Sequence, residues 1–159
     1  MDYIQPYTSS LGNITLASDG TYLTGLWFDG QKFDRATLSK SYIEKDLPVF
    51  EEVKHWLNIY FSGKEPDFMP PIQTESTAFR MQVWKILTSI PYGQTITYGE
   101  IAKKISDTMS CQAVGQAVGH NPISIIIPCH RVVGADGSLT GYAGGIERKI
   151  KLLELERVI

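Results

Sequence analysis

The chain has little cysteine: two in 159 residues, Cys111 and Cys129, with no C-x-x-C. That excludes a disulfide framework and fits a reducing compartment, the cytoplasm. The three histidines, His55, His120 and His130, keep no regular spacing, so no zinc site is expected. No apolar run is long enough to span a bilayer. Met1 to Ser10 hold neither a basic stretch nor an apolar one, so no signal segment is expected. A large charge of one sign is missing too. The 15 Lys/Arg and 17 Asp/Glu leave a net charge of −2, which speaks against bulk affinity for nucleic acid. The distribution is uneven. Residues 1–73 carry six Lys/Arg and ten Asp/Glu, whereas residues 74–159 carry nine and seven. The second part thus has a net charge of +2 and can meet a few phosphates, although ordinary surface scatter gives the same count.

What is present is ordinary globular material. Hydrophobic residues make up 43% and charged residues 20%, enough for one substantial core or two small ones. The first third reads as short strands over 3–7, 12–17 and 22–28, separated by Ser/Asp/Gly breaks that supply hairpin turns. Phe50, Val53, Trp56, Leu57 and Tyr60 recur at helical spacing and predict a helix over 47–61. His55 on it reads as a surface or packing residue. No chemistry is expected in this part. A proline-marked connector follows, and a boundary is placed near Thr74, giving parts 1–73 and 74–159.

The second part opens with a helix over 78–89, its stripe Phe79, Val83, Ile86 and Leu87, with Trp84 beside it. Thr97 followed by Glu100 is a capping-box pattern that starts a helix at Tyr98. Ser110 caps the next one. Ala113, Val114, Ala117 and Val118 face one side of that helix; Gln112, Gly115, Gln116 and Gly119 face the other. Two short helices and a tight turn read as a helix-turn-helix or as a plain αα-hairpin. Lacking Arg and Lys, the polar face cannot read guanine edges bidentately in a major groove. Its glycines make a narrow surface able to lie in a shallow minor groove. A last helix is expected from Ile146, with Ile150 and Leu153 on its buried stripe. Glu156 sits at the edge of that stripe, either turned inward toward His130 or solvated.

Between these helices, Ile123 to Val133 reads I-S-I-I-I-P-C-H-R-V-V. The β-branched run predicts a buried strand or extended segment, stopped by Pro128. A lone cysteine such as Cys129 is either a small buried hydrophobe or, as thiolate, a nucleophile, and the neighbouring imidazole and guanidinium favour the second. Adjacent side chains of an extended chain point apart, so His130 would reach Cys129 only through a turn or a bridging water. Gly134 to Gly145 form a glycine-rich loop whose backbone can approach a ligand closely.

Together, P-C-H-R-V-V, the helix pair before it, Asn121-Pro122 between them and G-Y-A-G-G after it resemble the O6-alkylguanine-DNA alkyltransferases, from about Ala78 to Glu156. The resemblance implies an α+β protein: an N-terminal α/β domain with a small antiparallel sheet and a mostly helical C-terminal domain with a helix-turn-helix. It implies a partner, duplex DNA containing O6-alkylguanine, bound through the minor groove by a monomer with no cofactor. The damaged nucleotide is rotated out of the stack, and the alkyl group passes irreversibly to the cysteine. By the resemblance Cys129 is the alkyl acceptor, His130 takes the thiol proton through a water, and Glu156 orients the imidazole. Tyr98 crowds the phosphate and donates to the base. Asn121 is a hinge, and Arg131 holds the segment in place by hydrogen bonds. Tyr142 is a pocket wall, the Ala143 N–H faces the guanine oxygen, the Cys129 and Val132 carbonyls accept from the exocyclic amine, and Lys149 lies near the pocket. Gln112 stands where family members carry an arginine, which implies weaker, more salt-tolerant binding. Two other classes remain open: a lesion-binding protein without catalysis, and a Cys-His-Glu thiol hydrolase.

Overall fold

Three short strands, each ended by a turn of Ser, Asp or Gly, fold back on one another as the breaks predict. A computed structural model describes the whole chain, Met1–Ile159. Strands β1 (Asp2–Ser9), β2 (Gly12–Ser18) and β3 (Leu23–Phe28) form an antiparallel meander. A three-residue strand β4 (Tyr42–Glu44) joins β1 in parallel, giving the order β3-β2-β1-β4. Helix α1 (Pro48–Phe61) packs on the three meander strands, burying Phe50, Val53, Trp56, Leu57 and Tyr60. Pro48 suits its first turn, where an N–H would lack a helical partner anyway. Each large apolar side chain so buried contributes about 1.5–3 kcal/mol.

The second part holds α2 (Ala78–Thr88), β5 (Ile96–Thr97), α3 (Tyr98–Ile105), α4 (Cys111–Gly119), β6 (Val132–Val133) and α5 (Ile146–Leu155). The expected caps are formed. The Thr97 side chain accepts from the Glu100 N–H at 3.1 Å, and that of Ser110 from the Ala113 N–H at 3.0 Å. Trp84 belongs to the buried face of α2 and donates from its indole N–H to the Ala117 carbonyl of α4 at 2.8 Å. Strand β5 pairs in parallel with β6, which ties the start of the helix pair to the residues after the thiol.

Two sheet contacts join the halves. The Leu26 N–H donates to the Pro122 carbonyl at 2.8 Å, and the Ser124 N–H donates to the Leu26 carbonyl at 3.0 Å. The edge strand β3 therefore holds the segment that leads to Cys129. One apolar cluster of 28 buried residues runs from Ile14 in β2 to Leu152 in α5.

Two expectations are corrected. The isoleucine run is buried but is not a strand; it is a tight turn, with Ile123 alone forming a bridge to Leu26. Ile125 sits at φ 71°, which costs a β-branched residue about 1–3 kcal/mol. Asn121 holds it there, its amide donating to the carbonyls of Ile123 at 3.3 Å and Ile127 at 2.8 Å. In α5 the buried face is Lys149, Leu152 and Leu153, while Ile146 is exposed and Ile150 half-buried. The helix is rotated from the expected stripe because its charged residues find partners inside.

Candidate active site

Pro128 ends the isoleucine turn, and Cys129–Arg131 form one 3-10 turn before β6. The chain is therefore bent, not extended, at the thiol. Cys129 lines a cavity of about 720 Å³ between α4 and the loop before α5. Burial pushes its thiol up to about 11, against the pull of the Asn121 amide and of the Lys149 charge. At neutral pH it is protonated and needs a base to become a nucleophile.

His130 lies behind it with no exposed surface. Its Nε2 is 2.6 Å from Glu156 Oε2, so the inward orientation of Glu156 is the one formed. A carboxylate accepts only, so Nε2 carries the proton. That leaves Nδ1, buried and without a hydrogen-bond partner, as the free lone pair of the ring. Burial lowers the His130 pKa, with Glu156 opposing, so the ring rests neutral at pH 7.

Glu156 follows the last turn of α5 and is surrounded by donors. Its Oε1 accepts from Arg131 Nε at 2.7 Å and from the Gly93 N–H at 3.0 Å. Gly93 can point its N–H there because it sits at φ 79°, a conformation other residues rarely adopt. Oε2 accepts from His130 and from the Tyr60 hydroxyl, which is also at 2.6 Å. Burial favours the neutral acid, yet His130 and Arg131 outweigh it and hold Glu156 at about 2. Arg131 also donates from Nη1 to the Ile90 carbonyl at 2.7 Å.

The expected residues divide into two groups. Tyr98, Gln112, Gly115, Gln116, Gly119, Cys129, Tyr142 and Ala143 line the cavity. Asn121, His130, Arg131, Val132, Lys149 and Glu156 stand behind its wall, each buried. The Tyr98 hydroxyl donates to the Thr140 carbonyl at 3.2 Å, bridging the helix pair to the glycine-rich loop. Gly115 lies beside the Tyr98 ring; a Cβ there would meet it at 3.8 Å, an ordinary contact. Lys149 Nζ donates to the carbonyls of Val132 at 2.6 Å and of Thr140 and Gly141 at 3.2 Å each. The Val132 carbonyl is thus engaged by the Lys149 ammonium. Burial brings Lys149 down to about 8, against the opposing influence of Cys129.

The expectation that the first part holds no chemistry is corrected. Tyr60 of α1 reaches into the His130–Glu156 pair, and Lys32 and Phe33 line the cavity mouth. The Phe33 ring stacks on His120 at 4.0 Å between centroids. A tyrosine on a buried stripe is a usable signal, because its hydroxyl needs a partner inside. Lys32 and Phe33 lie in an irregular loop and carry no such mark. Cys111 is exposed, and His55 stacks on Phe68. No cluster of three His, Cys, Asp or Glu is arranged to hold a metal ion, and no helix is long and apolar enough to cross a membrane.

Two family profiles match the chain. Residues 3–74 match the ribonuclease-like domain of 6-O-methylguanine DNA methyltransferase, and residues 78–158 match its DNA binding domain. The methylated-DNA--protein-cysteine methyltransferase of Mycobacterium tuberculosis is 45% identical over 99% of this chain and 93% of its own length. That of Haemophilus influenzae is 42% identical, over 98% and 87%. The crystal structure of Mycobacterium tuberculosis OGT in complex with DNA superposes with a TM-score of 0.88 at 44% identity, covering 98% of this chain and 92% of that one. With both halves matched in order, the chain belongs to the 6-O-methylguanine DNA methyltransferase family.

Proposed function

We infer that this protein repairs DNA by taking the alkyl group of O6-alkylguanine onto Cys129, once per molecule. The observation that carries this reading is a thiol on the wall of a nucleotide-sized cavity, backed by an imidazole with a free Nδ1 and a fully bonded carboxylate. That arrangement supports the site roles proposed here.

The duplex lies against α4, whose exposed Gln112 and Gln116 and small Gly115 and Gly119 allow a close approach in the minor groove. The target atom is inaccessible within the stack, so the nucleotide is rotated into the cavity. Tyr98 and Tyr142 flank the base, the Ala143 N–H meets its oxygen, and the Cys129 and Val132 carbonyls meet its amine. Asn121 sets the hinge between α4 and the thiol segment.

The thiol proton passes through a water to His130 Nδ1, and the new imidazolium is balanced by Glu156. The thiolate displaces the purine oxygen from the alkyl carbon. A C–S bond forms, the C–O bond breaks with its electron pair going to the purine, and the purine takes up a proton to become guanine. A thioether has no good leaving group, so the sulfur is spent. The protein acts in the cytoplasm as a monomer, and every step uses this chain's own side chains. Incubation with duplex carrying one O6-methylguanine, followed by peptide mass analysis, tests this. One added methylene on the Cys129 peptide and one lesion cleared per molecule are expected. Repeated turnover would identify a hydrolase instead.

A further inference from the structure

Both halves of the chain hold Glu156, and Tyr60 is the N-terminal half's contribution. Tyr60 has no exposed surface. Its hydroxyl donates to Glu156 Oε2 at 2.6 Å, and its oxygen lies 3.3 Å from His130 Nε2. The ring is fixed by packing: it stacks on Trp56 at 5.4 Å and meets Tyr92 edge-on at 6.3 Å. A purely apolar ring would fill that space equally well. Placing a hydroxyl there requires a buried partner, and the partner it finds is the oxygen that His130 also uses.

Two donors on one carboxylate oxygen compete. Each stabilises the negative charge, and each therefore weakens the pull of that oxygen on the other's proton. The remaining charged and titratable groups around the pair are accounted for. Arg131, from the same turn as His130, holds Glu156 Oε1, and Lys149 of α5 is occupied by three carbonyls. Cys129 and Tyr142 lie on the cavity side, and Tyr92 packs on the Arg131 guanidinium at 5.7 Å. Among these, Tyr60 alone shares Oε2 with the imidazole.

We propose that Tyr60 is a positioning residue for the alkyl transfer: its hydroxyl tempers Glu156, so that His130 rests neutral with Nδ1 free to take the thiol proton. This rests on the roles given above to Cys129 and His130. Without the hydroxyl, Glu156 stays ionised through Arg131 and Gly93 but draws harder on the imidazole. His130 then holds its proton to higher pH, and the fraction of molecules with a free Nδ1 falls.

The test is the transfer rate to an O6-methylguanine duplex as a function of pH, for the natural protein and for Tyr60→Phe. The acid-side midpoint of the profile is expected to move upward by about one pH unit in the variant. Its alkaline plateau should stay within a fewfold of the natural rate. A change that only loosened packing would lower the plateau and leave the midpoint in place, which overturns the proposal, as does a downward shift. Replacing Tyr60 with 3-fluorotyrosine keeps the ring and makes the hydroxyl a stronger donor, so the midpoint should move down. This second arm decides the matter if Tyr60→Phe does not fold. Peptide mass analysis of each reacted sample separates the two levels of inference. Alkyl on Cys129 with an unmoved midpoint removes only the role of Tyr60, and alkyl elsewhere removes the reading it rests on.

Discussion

Lys149 in α5 and Glu156, the residue that caps its C-terminal end, lie seven positions apart, and both turn their charged ends into the protein. Lys149 gathers the carbonyls of Val132, Thr140 and Gly141; Glu156 gathers donors from Tyr60, Gly93, His130 and Arg131. One ties down the loop over the cavity, the other the imidazole behind it. The last helix is thus the common support of both sides of the thiol.

Cys129→Ala should abolish transfer and leave lesion binding intact, checked by mass analysis and by gel shift with the same duplex. In the natural protein a small alkylating reagent at pH 7 should label exposed Cys111 well before Cys129. Cys129 is buried, and its thiol is held up to about 11. Cys111→Ser should transfer at the natural rate.

Glu156→Gln replaces one accepting oxygen and the negative charge with an NH2 where four donors converge, so a donor loses its acceptor unless Tyr60 turns and His130 moves its proton to Nδ1. Unfolding in urea should show a loss of about 3–5 kcal/mol at pH 7, and transfer should slow. The folded Glu156 sits at about 2, below its ordinary 4.5. Its stabilisation is therefore full above about pH 4.5 and is lost as pH falls toward about 2. The gap in stability between the two proteins should narrow across that window. A gap that stays constant would count against an ionised Glu156.

Asn121→Ala removes the amide that holds the Ile123 and Ile127 carbonyls and the oxygen that accepts from the Ile123 N–H. With these groups buried, about 3 kcal/mol should be lost in urea unfolding. Because Ile125 is strained, hydrogen exchange should rise first in 123–127.

Gln112→Arg adds one cation to the exposed face of α4. The slope of log K against log salt for duplex should steepen by about 0.9. Tighter binding is expected at low salt, measured by fluorescence anisotropy. An unchanged slope would place Gln112 away from the phosphates.

Periodicity and caps made most elements legible from sequence. Thr97-Glu100 and Ser110 start helices where their side chains can serve orphan N–H groups, and this depends on neighbours a few residues away. The thiol motif was legible for a similar reason, since Pro128, Cys129 and His130 are contiguous. Local pattern failed where partners come from far along the chain. The β-branched residues 123–127 favoured a strand, but the buried Asn121 amide bends them into a turn. Apolar residues alone gave α5 the wrong face, because Lys149 and Glu156 are drawn inward by groups on other elements.

The sequence by itself determined which groups are available: one thiol beside an imidazole, a helix pair with a smooth polar face, a glycine-rich loop. Tertiary structure decided what each group is chemically. Burial keeps the thiol protonated, a carboxylate 26 positions away leaves Nδ1 free on His130, and a tyrosine from the other half shares that carboxylate. The physical reason is that charge in a dry interior is set by whichever donors and acceptors surround it, and those are brought together only by the fold.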